Sequence, residues 1–325
     1  MRRLIDDVFV SAFDNELLAP LEDQALLDLA PLLELGDRLA FTTDSYVVDP
    51  LFFPGGDIGT LAVAGTVNDL AMGGARPLFL SCGMVLEEGL EIGTLRRVVA
   101  SMKRVAAEAG VRIVTGDTKV VERGAADKLF INTSGIGIVP RGVRLSAGHA
   151  VPGDVVIVNG YLGDHGMAIL LARGQLALEG SIASDCQPLA SLVEVMLDAC
   201  PNLHCLRDPT RGGIASTLNE FALSSRVAIA IDETALPMRA EVKGACEILG
   251  LDPLYLANEG KLVAVLPSAC APAVLDAMRR HPAGAGSAIV GQVHGDPAGI
   301  VVLRTAFGGE RIVDMLIGDQ LPRIC

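Results

Sequence analysis

The stretch PRGVRLSAGHAVPGD, residues 140–154, holds two prolines, three glycines and no apolar period, and it runs directly into VVIVNG, residues 155–160. A segment of that composition continues neither a helix nor a strand, whereas the unbroken β-branched run after it reads as a buried strand. The chain is therefore divided here. Its 325 residues suit two domains, drawn as 1–148 and 149–308, with residues 309–325 as a mobile tail.

Working outward toward the amino terminus, LFINTSGIGIV from Leu129 and VRIVTG from Val111 read as strands. A helix is expected over 94–109, a strand over 78–86, and a helix of small apolar residues over 58–72, stopped by Gly73-Gly74. LFFPGGD (51–57) is a loop and LAFTTDSYVV (39–48) a strand. Leu4, Ile5, Val8, Phe9 and Phe13 have helical spacing. Toward the carboxy terminus, helices near 164–172, 188–199, from 212, 239–249 and 269–280 mix with strands VAIAID, KLVAVL, SAIVGQV and GIVVLR. This alternation makes the fold class α/β in the first half and α+β in the second.

Half of the residues are hydrophobic and only 20% charged, with a mean hydropathy of +0.45. No stretch reaches eighteen apolar residues without Gly, Pro or charge, so no membrane span is expected, and Asp6-Asp7 break the first apolar run too early for a signal peptide. The apolar excess must enter cores or a subunit interface. Lys plus Arg number 26 against 39 Asp plus Glu, a net charge of −13, which gives no electrostatic support to nucleic-acid or anionic-membrane binding. A phosphate ligand would need a bridging cation. The seven cysteines are odd in number, scattered and without a C-x-x-C pair, the pattern of reduced thiols in the cytoplasm.

Common nucleotide motifs are missing. Gly260-Lys261 is followed by Leu262 rather than the Ser or Thr of a P-loop, and Gly135-x-Gly137 runs into Val139-Pro140 rather than a dinucleotide turn. Cys200, His204 and Cys205 lack the partners of a zinc site and read as core residues.

Isolated carboxylates carry the chemistry instead. Asp44 in FTTDSYVVDP, Asn68 and Asp69 in TVNDLAMGGARP, and Asp117 in VTGDTKVV suit a hard cation that keeps waters and bridges to phosphates. Taken singly, each is more simply explained by a capping or turn role, because capping is common and metal ligation rare; together they point to a phosphate-bridging metal. If the strand continues, Lys119 shares a face with Asp117; a solvated, ion-paired lysine is the plainer account. RDPTRGGI (207–214) opens a helix where Arg207 and Arg211 could meet an anion. Glu259 in ANEGKLVAV is either a general base or a turn residue. Cys325 is the last residue, after Pro322, on a Gly-punctuated arm, and a thiol so placed reads as a carrier or nucleophile.

Together FTTDSYVVDPLFFPGGDIG, VNDLAMGGARP, VTGDTKVV, LFINTSGIG, LGDHG, RDPTRGG, NEGKLV and the terminal PRIC resemble, over essentially the whole chain, the HypE family of hydrogenase maturation factors. These are carbamoyl dehydratases within the ATP-using superfamily of aminoimidazole ribonucleotide synthetase and selenophosphate synthetase. The resemblance implies a PurM-like fold, an amino-terminal domain whose sheets pair across a homodimer, and ATP with Mg²⁺ in the cleft. It further implies that a carbamoyltransferase loads Cys325, that the S-carbamoyl group is dehydrated to S-cyanide with ATP, and that an iron-carrying scaffold complex receives the cyanide. Asp44, Asp69 and Asp117 match the family's metal positions. With Asn68, Asp208 and Arg211 they make the nucleotide site, while Lys119 and Glu259 match positions for proton handling, with the choice of base open. Family members begin with a Gly-rich segment before the first helix. This chain begins at that helix, from a late start or a truncation, and weaker ATP binding is expected if the segment closes over the phosphates. Competing readings are a phosphotransferase acting on a small free substrate and a non-enzymatic thiol scaffold.

Overall fold

The computed structural model describes residues 4–22, 24–174, 182–316 and 318; Cys325 and Pro322 lie outside the described residues. The first turns, Ile5–Val10, are π-helical and pass into Ser11–Phe13. A short helix α1 (Leu29–Leu35) precedes the edge strand β1 (Arg38–Tyr46). The expected loop at 51–57 is a tight hairpin, β2 (Phe52–Phe53) with β3 (Gly56–Asp57). Asp57 then caps α2 (Ile58–Met72) by accepting the Thr60 N–H at 2.8 Å. β4 (Arg76–Glu87), α3 (Ile92–Ala109) and β5 (Arg112–Val121) form a crossover unit whose two strands are parallel, and β6 (Leu129–Val139) completes a sheet ordered β1-β6-β4-β5.

Helix α2 decides the packing. It is apolar all round, which is the pattern of a helix enclosed on every side, and every one of its residues except Asp69 is buried. It lies on β1 and β6, against α3, and also touches the second half of the chain. Asn68 is therefore mid-helix and does not open its own helix.

The second half contains β7 (Asp154–Val158), α4 (Asp164–Ala172), α5 (Ala190–Ala199), β8 (Cys205–Arg207), α6 (Gly213–Ser225), β9 (Ala228–Asp232), α7 (Ala240–Leu249), β10 (Val263–Pro267), α8 (Ala271–Arg280), β11 (Ala288–His294), β12 (Val301–Arg304) and β13 (Glu310–Ile312). The sheet order is β13-β12-β9-β11-β7-β10-β8. Its central strands β7 and β10 are covered on both faces, so alternate residues enter different cores. Val156 and Val158 pack with Ile214, Leu218 and Phe221, while Ile157 packs with Leu192, Met196 and Met278. β13 continues the sheet past residue 308, and the Val313 N–H bonds the Val301 carbonyl at 2.9 Å.

Candidate active site at the domain seam

β1 brings Thr42 and Asp44 to one face by its two-residue period, and Thr42 Oγ1 donates to Asp69 Oδ2 at 3.0 Å. Asp208, just after β8, joins them across the seam. Burial, then the charges of Asp69 and Asp44, push its carboxyl up to about 7. Burial likewise raises Asp69, and Asp44 adds to the rise, against the Thr42 hydrogen bond. These three carboxylates repel one another, and a cation would relieve that repulsion. Among the described residues no three His, Cys, Asp or Glu side chains close into a metal-holding group. One or two carboxylates with waters and phosphates are nonetheless an ordinary Mg²⁺ environment. Arg207 pairs with Glu220 at 2.8 Å, and Arg211 is exposed.

Behind this cluster the seam is closed by a buried polar network. Asn68 donates to the carbonyls of Gln187 (3.1 Å) and Glu259 (3.3 Å) and accepts the Leu189 N–H (2.8 Å). Glu259 is only 4% exposed. Its N–H meets Asp185 Oδ1 at 3.1 Å, and Asp185 Oδ2 meets Lys261 Nζ at 2.8 Å. Burial alone would raise Asp185, but Lys261, His165 and the Glu259 N–H together hold it below the usual carboxylate range. Gly260 permits this contact, since a Cβ there would lie 1.8 Å from the Asp185 carbonyl oxygen.

Asp117 and Lys119 stand elsewhere. β5 does continue through them, and their side chains form an ion pair at 2.8 Å with both about 70% exposed. The Lys119 hydrogen bond, then the Thr118 N–H, lower the Asp117 carboxyl. β1 and β5 are opposite edges of the four-stranded sheet, three strand spacings or about 14 Å apart. Within one chain, then, the expected Asp44–Asp69–Asp117 set is split, and Lys119 and Glu259 are on separate groups. Asp117 and Thr118 instead rim a cavity of about 710 Å³ walled by Phe9, Phe13 and Met84.

Thr42 was within reach of sequence reasoning, being two residues from Asp44. Asp185 and Gln187 were not, because SDCQP carries no period or motif. Cys82 and Cys205 are core thiols that burial pushes up to about 12. Cys186 is raised first by burial and then by the charges of Glu259 and Asp185, which disfavours its thiolate.

An α/β domain and an α+β domain meeting over such a seam define a class, the AIR synthase related proteins. The family model for their N-terminal domain matches residues 21–139, and that for their C-terminal domain matches 151–304. Within this class the chain belongs to the carbamoyl dehydratase HypE family. It is 60% identical to carbamoyl dehydratase HypE of Rhodobacter capsulatus over all of this chain and 95% of that protein. A crystal structure of the hydrogenase maturation protein HypE in complex with ATP superposes with TM-score 0.94 at 52% identity, over 100% of this chain and 96% of that one. HypE in a HypE–HypF complex superposes at 0.83 and 47% identity, over 96% and 99%. No helix among the described residues is long and apolar enough to cross a membrane.

Proposed function

We propose that this chain dehydrates an S-carbamoyl group on Cys325 to S-cyanide with ATP, supplying cyanide for the iron of a [NiFe] hydrogenase. The observation that carries the reading is the buried Glu259, held at the seam beside the Asp44–Asp69–Asp208 cluster. An amide oxygen is a poor leaving group; when bound, ATP supplies the phosphoryl group with which that oxygen departs as phosphate. Asp44, Asp69 and Asp208 would hold Mg²⁺, which neutralises the polyphosphate that a −13 chain otherwise repels. Both nitrogen protons must leave as the C≡N bond forms. Glu259, buried in the seam, accepts the first as the oxygen is phosphorylated, the second leaves with the departing phosphate as hydrogen phosphate, and Lys119, brought in from a second copy of the chain, supplies positive charge to that oxygen.

The protein works as a homodimer in the cytoplasm, takes its carbamoyl group from a carbamoyltransferase and hands cyanide to an iron-carrying scaffold. The HypE–HypF complex of a relative supports a dedicated protein partner. The test is to incubate the chain with the carbamoyltransferase, carbamoyl phosphate and ATP, and to weigh its carboxy-terminal peptide. A carbamoyl adduct that loses one water only with ATP is expected, and Glu259→Gln should stop at the adduct. A parent adduct that keeps its water when ATP is present would overturn the reading.

A further inference from the structure

The Glu259 backbone is pinned from both sides, and we propose that Asp185 is a positioning residue for the dehydration: its Oδ1 holds the Glu259 N–H while Lys261 locks its other oxygen. This rests on the reading of Glu259 as the proton acceptor. The Glu259 carbonyl accepts from Asn68, one residue from Asp69, and its N–H is taken by Asp185. The segment that carries Asp185 is itself tied to both domains. The Ser184 N–H bonds the Pro54 carbonyl at 2.7 Å, Gln187 Nε2 donates to the Gly260 carbonyl at 3.1 Å, and the Leu189 N–H returns to Asn68. Glu259 therefore cannot shift without moving either this strap or α2.

Stability does not explain why an ion pair with side chains only 3% and 7% exposed is kept here. A buried pair is often replaceable by apolar groups of similar volume at no cost. The acceptor does explain it: a carboxylate buried to hold the Glu259 N–H needs a compensating charge, which Lys261 supplies, and misplacing a proton acceptor by an ångström costs rate rather than binding.

Two double variants separate the hydrogen bond from the charge pair. Asp185→Asn with Lys261→Met keeps an Oδ1 acceptor and removes both charges; Asp185→Leu with Lys261→Met removes the acceptor too. Each full-length variant is S-carbamoylated by the carbamoyltransferase, and water loss from the carboxy-terminal peptide is timed against ATP concentration. The first should keep kcat within about fivefold of the parent. The second should lose more than tenfold in kcat with KM for ATP within about twofold and unchanged carbamoylation. Hydrogen exchange of peptide 257–262 should accelerate only in the second, a readout available even if that variant is too slow to time. Equal kcat in the two variants, equal exchange, or a loss confined to KM overturns the role of Asp185. Full dehydration by Glu259→Gln overturns the underlying reading instead, whatever the double variants do.

Discussion

Asp208 is where folding and ligand binding pull hardest against each other. Its carboxyl titrates near 7 in the folded chain, against about 3.9 when unfolded. Between those values the folded chain holds the extra proton, so its contribution to stability is present in full at acid pH, falls as pH rises from about 4 to 7, and is flat above that. Asp208→Asn should therefore raise the melting temperature at pH 8 by about 6 °C and leave it unchanged at pH 4. Scanning calorimetry at the two pH values checks this, and an equal shift at both would place the cause elsewhere. Gly260 is constrained by space rather than by backbone angles: a Cβ would press on the Asp185 carbonyl oxygen at 1.8 Å and the Gln187 side chain at 2.8 Å. Gly260→Ala should cost about 1–3 kcal/mol, as overpacking does, and should slow dehydration by pushing the strap off Glu259. Thermal melting and the water-loss assay read the two effects separately. At this scale the sequence marks a residue when chemistry and local rule disagree, as with a carboxylate directly before a strand at Glu259. Asp185 obeys no local rule, since its partners Glu259 and Lys261 are over seventy positions away.

Helix α2 was legible to the residue because the fifteen positions between Asp57 and Gly73 are mostly small and apolar and have only one reading. β13 was not, because Glu310–Ile312 is exposed throughout and has no alternation to betray a strand. What makes it a strand is tertiary: β12 offers an open edge, and the chain after it is fastened down. Asn219 on α6 donates to the Val313 carbonyl at 2.8 Å and to Ala215 at 2.9 Å, and the Tyr255 hydroxyl donates to the Asp314 carbonyl at 2.9 Å. A Cβ on Gly212 would meet Leu316 at 3.6 Å, so the root of the tail lies beside the RDPTRGG turn that also carries Asp208. Asn219→Leu leaves a buried carbonyl without its donor and should destabilise the chain by about 1–3 kcal/mol. The more exposed Tyr255→Phe should cost about 1 kcal/mol or less. Denaturant melts give the order; the reverse order would mean that the tail root is held mainly at Tyr255.

At the scale of the molecule, the split between the two charged groups asks for a second copy. Leu39 and Phe41 on the edge strand β1 are 61% and 69% exposed, an apolar edge that a lone chain would leave open to pairing. If two sheets meet along this face, Asp117 and Lys119 of one copy can complete the Glu259 seam of the other, which one chain cannot do across the width of its own sheet. Phe41→Glu should then yield monomers in sedimentation and lose dehydration while retaining the fold. The sharper test mixes two inactive variants, Lys119→Ala and Glu259→Gln, after subunit exchange. A composite site built from two copies restores about a quarter of the parent activity, because half of the dimers are mixed and each mixed dimer has one intact site of two. A site contained in one chain restores none, because every Glu259 then shares its chain with the missing Lys119 or is itself replaced. Native mass spectrometry with one variant isotopically labelled shows that exchange took place, so an inactive mixed dimer would locate Lys119 in the same site as the Glu259 of its own chain.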